Sequence, residues 1–282
     1  MRTLARPDYS QKSALVFDSG VGGLTIAMAL KDAAPELSIS YAADTEFFPY
    51  GDKSDNALRA RLPGVARALC DEIQPDVFVI ACNTASTLAM QELRETLPVP
   101  IIGTVPAIKP AALLSNSGII GLLATPGTIR REYTDKLIAE HASHCEVIKL
   151  GSLKLVELAE AVVRGEMPPL SEFAAAQAPL FASPHVENID TIVLACTHFP
   201  LVRKQLIATA PKPVAYIDSG DAIARQTLRV LAERPGTGLN SKAQAYVTSS
   251  GQSELKAVFQ RFGFETTEHL VVKSPAKQAA TV

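Results

Sequence analysis

Residues 76–84 read Asp-Val-Phe-Val-Ile-Ala-Cys-Asn-Thr, and residues 190–198 read Asp-Thr-Ile-Val-Leu-Ala-Cys-Thr-His. In both stretches an acidic residue precedes a run of apolar residues that ends in Ala-Cys and two polar residues. A short continuous apolar run of this kind is typical of a strand buried in a parallel sheet. The repeat predicts two copies of one α/β unit, with Cys82 and Cys196 at equivalent strand ends that face one cleft.

On both sides of this repeat, short apolar runs alternate with longer helical patterns. That alternation is typical of parallel strands joined by crossover helices, so we predict the α/β fold class with mainly parallel sheets. Strands are predicted at residues 14–17, 38–42, 77–81, 101–103, 118–123, 146–150, 191–195 and 214–217. Helices are predicted at residues 25–33, 57–72, 86–95, 129–140, 170–181 and 200–208.

Composition and charge limit the possible classes of protein. The chain has 282 residues, 47% of them hydrophobic and 20% charged, which suffices to bury a core in one large unit or in two smaller ones. The formal net charge is -2 and Trp is absent, so the chain lacks the features of a dedicated nucleic-acid binder. The first 13 residues show no signal peptide, no apolar run approaches the length of a membrane span, and the four cysteines form no C-x-x-C pair. We therefore expect a cytoplasmic protein with reduced thiols and no membrane partner.

Cys82 and Cys196 fall at the carboxyl ends of predicted strands, where open parallel sheets bind their ligands. Each is followed by polar residues and a predicted helix, and the N–H groups at a helix N-terminus favour a thiolate. We therefore expect both thiols to act as bases or acids. The other cysteines, Cys70 and Cys145, lie in a helical pattern and at the start of a strand, and are interpreted as core residues.

Two equivalent acid-base groups suit a reaction at a stereocentre. One group removes a proton from one face of a substrate carbon while the other delivers a proton to the opposite face. Two units related by approximate two-fold symmetry supply such a pair without a cofactor, so no cofactor is expected.

The segment Phe-Asp-Ser-Gly-Val-Gly-Gly at residues 17–23 ends the first predicted strand. Its Asp18 either assists one thiol or binds a substrate ammonium group, and its glycines permit a close backbone approach to a substrate carboxylate. Thr25 stands where a dinucleotide-binding G-x-G-x-x-G motif needs its third glycine, which argues against NAD. His198, two residues after Cys196, is the nearest proton partner in the sequence for that thiol.

Two further segments carry weaker signals. His141, His144 and Cys145 are closely spaced, but no carboxylate or fourth ligand lies at a persuasive spacing, so no metal site is predicted. Tyr50 and Gly51 lie in a long predicted loop, which forms either a binding flap or an ordinary turn.

In these segments the sequence resembles the glutamate racemases of the aspartate/glutamate racemase superfamily. The resemblance runs through about residues 14–225, and the matching segments are residues 17–25, 44–54, 81–86, 195–201 and 217–219. It implies two Rossmann-like domains with mainly parallel sheets, related by pseudo-two-fold symmetry, with the active site between them. It also implies that Cys82 deprotonates D-glutamate and that Cys196 deprotonates L-glutamate.

The resemblance also assigns further site residues by motif. It implies that Asp18 assists Cys82, that His198 assists Cys196, and that Glu157 matches a catalytic glutamate of the family. The substrate-binding residues that it implies are Asp18, Ser19, Tyr50, Gly51, Asn83, Thr84, Thr125, Thr128, Thr197 and His198.

Domain organisation and partners are expected on the same basis. The first domain is expected at residues 14–108 and 218–272 and the second at residues 109–217, with mobile tails at residues 1–13 and 273–282. Family members supply D-glutamate for peptidoglycan, so a walled bacterial host is expected. The residues before Leu15 resemble those of members regulated by a wall precursor, which makes such an activator a possible partner, as is a second copy of the chain in a homodimer.

Three alternatives remain open at this point. A related racemase would act on aspartate or another amino acid, a thiol hydrolase or amidase would use one cysteine with His198, and a binding protein would use neither thiol. The intact polar pairs that follow Cys82 and Cys196 favour glutamate. The second thiol argues against a hydrolase, and two intact thiols argue against a silent binding protein.

Overall fold

The computed structural model of the chain describes residues 7–182, 188–238, 243–251 and 253–272. Within these residues, ten strands form two parallel sheets. The first sheet contains β1 (Ser13–Asp18), β2 (Ser38–Ala43), β3 (Val77–Ile80), β4 (Ile101–Gly103), β9 (Gln244–Val247) and β10 (Thr266–His269). The second sheet contains β5 (Ile119–Ala124), β6 (Glu146–Gly151), β7 (Thr191–Ala195) and β8 (Ala215–Ile217).

The order of the strands repeats from one sheet to the other. It is β10-β9-β2-β1-β3-β4 in the first sheet and β6-β5-β7-β8 in the second, and the paired strands run parallel. Apart from β9 and β10 at one edge, β1 corresponds to β5 and β3 to β7. Cys82 follows β3 and Cys196 follows β7, so both thiols occupy equivalent positions. The predicted α/β fold with pseudo-two-fold symmetry is confirmed.

Helices cover both sheets. They are α1 (Leu24–Ala33), α2 (Asp55–Ile73), α3 (Asn83–Thr96), α4 (Ile108–Leu114), α5 (Pro126–Ile129), α6 (Glu132–His141), α7 (Lys154–Arg164), α8 (Leu170–Gln177), α9 (Arg203–Thr209), α10 (Gly220–Ala232) and α11 (Ser253–Arg261). We call the first sheet with α1–α3, α10 and α11 the first unit, and the second sheet with α4–α9 the second unit. No helix among the described residues combines the length and the apolar character that a membrane span requires.

Apolar clusters lie on both faces of each sheet. In β1, Ala14 and Val16 join the cluster on one face, while Leu15 and Phe17 join the cluster on the other. In β5, Leu122 and Leu123 likewise belong to clusters on opposite faces of the second sheet. Because helices cover both faces, successive side chains of the central strands are all buried. That burial explains why the sequence shows continuous apolar runs.

All eight predicted strands are present, and their bounds agree within one residue. The structure adds β9 and β10 and the helices α4, α7, α10 and α11, which were not predicted. Two predicted helices begin differently: residues 129–140 span the end of α5 and most of α6, and residues 200–208 begin in a short 3-10 turn before α9.

The predicted N-terminal tail is packed in its described part. Tyr9 is buried, and its hydroxyl donates to the carbonyl of Leu228 in α10 at 3.2 Å. Tyr9 is thus packed against the first unit, while the mobility of residues 1–13 stays a prediction. The other predicted tail residues, 1–6 and 273–282, lie outside the described residues, and the domain boundaries stay a prediction.

The acidic residue that opens each copy of the repeat stabilises the amino end of its sheet. Asp76 accepts hydrogen bonds from the backbone of Ser13 at 2.8 Å and from the backbone of Thr237 at 2.8 Å. Asp190 accepts three hydrogen bonds of 2.7–2.8 Å, and their donors are the Ser115 hydroxyl and the backbone of Asn116 and Ser117. Partial burial raises the pKa of Asp190, but these hydrogen bonds outweigh burial and lower its pKa to about 2.

The replacement Asp190→Ala is expected to lower the free energy of unfolding by about 1–2 kcal/mol at pH 7, because three hydrogen bonds to a partly solvated carboxylate are lost. The folded-state pKa lies below the ordinary value, so this stabilisation is present above about pH 4 and is lost as the pH falls toward 2. Urea unfolding of both proteins between pH 7 and pH 3 measures the difference. Glu233→Gln, at an exposed carboxylate, serves as the control. A difference between wild type and Asp190→Ala that stays constant with pH would contradict this assignment.

Candidate active site

The two thiols face one cavity between the units. Cys82 is the N-cap residue of α3, and Cys196 directly follows β7. Each residue is 6% exposed, and both line a cavity of about 20 Å³. Such a volume holds about one water molecule, so the two units are closed on each other here.

Cys82 lies beside the end of β1. Its Sγ is 3.9 Å from the Ser19 hydroxyl, which in turn donates to Asp18 at 3.2 Å. Burial and then the charge of Asp18 raise the pKa of Cys82 to about 12, and the opposing hydrogen bond from the backbone of Ala85 is weaker. The helix N-terminus therefore favours the thiolate of Cys82 as expected, but burial and Asp18 outweigh its effect. The raised pKa favours the protonated thiol of Cys82, which can donate a proton.

Asp18 joins the two units. It is fully buried at the end of β1 and accepts a hydrogen bond of 2.7 Å from the Thr197 hydroxyl of the second unit. It also accepts one of 3.1 Å from the backbone of Gly20. Burial raises the pKa of Asp18, although the positive charge of His198 opposes that increase. Asp18 therefore contacts Ser19 beside one thiol and Thr197 beside the other.

Cys196 has a different set of partners. Its Sγ lies 3.9 Å from Nδ1 of His198, and Nε2 of His198 lies 2.7 Å from the carboxylate of Glu160 in α7. Burial by itself lowers the pKa of His198, but the hydrogen bonds and charges of Cys196 and Glu160 outweigh it and hold that pKa well above its ordinary value. Burial likewise raises the pKa of Glu160, yet His198 lowers it overall. His198 and Glu160 therefore form a buried ion pair beside Cys196.

The carboxylate that contacts His198 belongs to Glu160 and not to the predicted Glu157. Glu157 is exposed on the outer side of α7 and does not line the cavity, whereas Glu160, three residues later, is 6% exposed and faces His198. The prediction was therefore wrong by about one helical turn. The signal for Glu160 was available in the sequence, because Val156 and Val163 lie four residues before it and three residues after it on the same buried face.

Tyr50 and Gly51 lie in a 3-10 turn, Tyr50–Asp52, that lines the cavity. The Tyr50 hydroxyl donates to Asp44 at 2.6 Å, and Asp44 also accepts from Arg61 at 2.6 Å and 3.0 Å. The hydroxyl is thus occupied, and Tyr50 offers its ring and backbone to the cavity. A Cβ atom at Gly51 would lie 2.8 Å from Cβ of Thr125, so only glycine allows this approach between the units.

Polar residues at the start of α3 meet residues that follow β5. The hydroxyl oxygens of Thr84 and Thr125 are 3.0 Å apart, and that of Thr128 lies 3.2–3.4 Å from both. Thr84 and Thr125 line the cavity, whereas Thr128 is fully buried behind them and does not. The amide oxygen of Asn83, which also lines the cavity, is buried and has no hydrogen-bond partner among the described residues.

The glycines after β1 allow close packing between the two units. A Cβ atom at Gly22 would lie 2.5 Å from both His198 Nδ1 and Thr197 Oγ1. Gly22 therefore permits the start of α1 to approach the second unit. The predicted approach of these glycines to a substrate carboxylate stays a prediction. Three apolar residues that were not predicted also line the cavity, Phe48, Pro49 and Val156. The Phe48 ring lies 5.8 Å from the His198 ring.

Among the residues that the structure describes, no group of three His, Cys, Asp or Glu side chains is arranged to hold a metal ion. His141, considered as a ligand above, lies 3.5 Å from the carboxylate of Glu140 at the end of α6.

Comparisons with known proteins agree with this arrangement. The family model described as Asp/Glu/Hydantoin racemase matches residues 25–227. The glutamate racemase of Salmonella gallinarum is 43% identical over 271 residues, which cover 95% of each chain. Among solved structures, the glutamate racemase of Escherichia coli in complex with L-glutamate and the activator UDP-MurNAc-Ala has a TM-score of 0.89 at 42% identity, covering 93% of this chain and 99% of that one. The glutamate racemase of Francisella tularensis in complex with D-glutamate has a TM-score of 0.76 at 25% identity, covering 94% and 100%. With a family match over most of its length and relatives of this identity, the chain belongs to the Asp/Glu/Hydantoin racemase family.

Proposed function

We propose that this chain is a cofactor-independent glutamate racemase that exchanges the Cα proton through Cys82 and Cys196. The observation that carries the proposal is that two thiols, at equivalent strand ends of two like-ordered sheets, line one cavity. The choice of glutamate is supported by glutamate racemases that are 41–43% identical to this chain and that it matches over nearly their full length.

The proposed reaction moves one proton at each thiol. Cys196, as a thiolate, takes the proton from Cα of L-glutamate, and the Cys82 thiol gives its proton to the opposite face. D-glutamate leaves with Cys196 protonated and Cys82 ionised, and the reverse reaction or proton exchange with solvent restores the first form. The raised pKa of Cys82 suits the donor role in this direction.

The neighbours of each thiol support its part in the transfer. The imidazolium of His198, 3.9 Å from Cys196 Sγ, is close enough to exchange a proton with that thiol, and Glu160 keeps the imidazole charged. Ser19 lies next to Cys82 and links it to Asp18. Asp18 and His198 are therefore proposed as the assisting groups of the two half-reactions.

Removing a proton from Cα places negative charge on the substrate carboxylate. The backbone N–H groups at the N-terminus of α3, which begins at Asn83, can stabilise that charge. The buried amide oxygen of Asn83, which lacks a partner among the described residues, can accept a hydrogen bond from the substrate ammonium group. The proposed substrate-contacting residues are Asp18, Ser19, Tyr50, Gly51, Asn83, Thr84, Thr125, Thr197 and His198.

The biological role is proposed from the relatives. D-glutamate is a component of peptidoglycan, so supply of this amino acid for wall synthesis is the proposed role. The Escherichia coli relative was solved with the activator UDP-MurNAc-Ala, and it matches 93% of this chain. We therefore propose that a UDP-linked wall precursor activates this protein too.

L-glutamate incubated with the protein in deuterated water is expected to lose its optical activity while one solvent deuterium enters Cα of the product. Circular dichroism and proton NMR measure the two quantities together. Cys82→Ala and Cys196→Ala are each expected to slow racemisation by at least about 100-fold, because each removes a proton-transferring group. Cys145→Ala, at a half-buried thiol outside the cavity, is the matched control and is expected to retain full activity.

Other outcomes of this experiment point to the alternatives. Full racemisation of glutamate by Cys82→Ala would contradict the two-thiol mechanism. Hydrolysis of an amide substrate by Cys82→Ala, with no racemisation of glutamate by the wild type, would indicate a hydrolase that uses one thiol. Racemisation of aspartate without racemisation of glutamate would contradict the proposed substrate.

Glu160→Gln is expected to lower the pKa of His198, because the carboxylate that stabilises the imidazolium is removed. The charged form of His198 is then lost at a lower pH than in the wild type. The alkaline limb of the kcat/KM profile is therefore expected to move to lower pH by about one unit or more, in both reaction directions. Glu157→Gln, on the exposed side of the same helix, is the control. Identical profiles for Glu160→Gln and Glu157→Gln would refute the role of the ion pair.

UDP-MurNAc-Ala is expected to raise kcat/KM of the purified protein in a saturable manner. The measurement is a titration of initial racemisation rates, with UDP alone as the control ligand. A racemisation rate that does not change at millimolar UDP-MurNAc-Ala would contradict the proposed activation. The proposal of racemase activity does not depend on this result.

A further inference from the structure

A buried arginine crosses from the second unit to the first beside the cavity. Arg131 lies between α5 and α6 and is 7% exposed. Its neighbour Arg130 is exposed. A guanidinium is rarely buried unless its donors find acceptors, so the partners of Arg131 indicate what it does.

The acceptors of Arg131 all belong to the first unit. Its guanidinium donates to the carbonyl of Thr84 at 2.7 Å and to the hydroxyl of Thr87 at 3.1 Å, both in the first turns of α3. It also pairs with the carboxylate of Asp55, the first residue of α2, at 2.8 Å. One side chain of the second unit therefore binds two helix starts of the first.

These two helix starts border the cavity. The helix α3 begins directly after Cys82, and α2 begins three residues after the turn that contains Tyr50 and Gly51. A second contact across this edge, the 3.0 Å approach of the Thr84 and Thr125 hydroxyls, is neutral. Hydrogen bonds from a charged donor are stronger than neutral ones, so Arg131 contributes more to holding this edge together than the threonine contact does.

The closed arrangement must be reversible. A cavity of about 20 Å³ does not admit an amino acid, so the units must separate for a substrate to enter. The apparent affinity for a substrate then depends on how readily the units close around it.

We infer that Arg131 is a positioning residue that holds the starts of α2 and α3 against the second unit and thereby stabilises the closed state of the cavity. The consequence for catalysis rests on the proposed racemase function. The closing itself is a property of the fold and is measurable without turnover.

The test is the rate at which iodoacetamide alkylates each cysteine, followed by peptide mass spectrometry, in the wild type and three variants. In Arg131→Ala, Cys82 and Cys196 are expected to react at least about tenfold faster, because a charged hydrogen bond that opposes opening is lost. Arg131→Lys is expected to give an intermediate rate, since an ammonium lacks the planar fork of the guanidinium. Arg130→Ala removes the same charge one residue away and is expected to match the wild type.

The other cysteines serve as internal references. Cys70 is buried in the core of the first unit, so its alkylation rate reports general unfolding. Cys145 is half-buried outside the cavity, so its alkylation rate reports the activity of the reagent in each sample. Loss of a positive charge does not by itself activate a thiol, because a nearby cation favours the thiolate. Faster reaction at Cys82 and Cys196 alone therefore reports opening of the cavity.

Equal rates at Cys82 and Cys196 in Arg131→Ala and Arg130→Ala would overturn the inference. Equal acceleration at Cys70 would overturn it as well, because Arg131 would then stabilise the whole fold. If Arg131→Ala does not fold, Asp55→Asn weakens the same contact and is expected to raise the alkylation rates of Cys82 and Cys196 by about two- to fivefold. Unchanged rates in Asp55→Asn would then overturn the inference.

Kinetics then connect the opening to the reaction. Arg131→Ala is expected to raise KM for both enantiomers by about tenfold with a smaller change in kcat, since the closed state becomes less populated. If the wild type does not racemise glutamate, the proposed function fails, and the alkylation rates still decide the role of Arg131.

Discussion

Two carboxylates and an imidazole are buried where the two units meet, and the rest of the site depends on how their charges are compensated. Asp18, Glu160 and His198 are tolerated there only because each is paired or hydrogen-bonded. Two of the compensating bonds, from Thr197 to Asp18 and from the backbone of Val21 to Glu160, run from one unit to the other. These two contacts between the units therefore also help to set the proton affinities of Asp18 and Glu160.

The two units share the same strand order, but the residues around their two thiols differ. The strand orders around β1 and β5 are alike, and both thiols follow corresponding strands. Their partners differ, because Cys82 lies beside Ser19 and a carboxylate while Cys196 lies beside an imidazolium and its own carboxylate. The repeated strand order thus accounts for the positions of the thiols, whereas the residues around each thiol are not repeated.

The sequence predicted the central strands closely because helices cover both of their faces, which leaves continuous apolar runs. It did not predict β10, whose Thr-Thr-Glu-His sequence at an exposed sheet edge carries no such signal. Glu160 was within reach of helical periodicity, since the buried residues of α7 recur at intervals of three and four, but matching by motif selected Glu157. The raised pKa of Cys82 and the contacts of Arg131 depend on residues far apart in the chain, so no local pattern could have indicated them.

The unlike surroundings of the two thiols are subject to a thermodynamic limit. Enantiomers have equal free energies in water, so the equilibrium constant of a racemisation is unity and the ratio kcat/KM must be the same in both directions. The different partners of Cys82 and Cys196 can therefore change kcat and KM for each enantiomer, but only in compensating proportions. A substitution in either half cannot turn such a protein into a one-way source of D-glutamate. The direction of net flow is set outside the molecule, by whichever reaction removes the product.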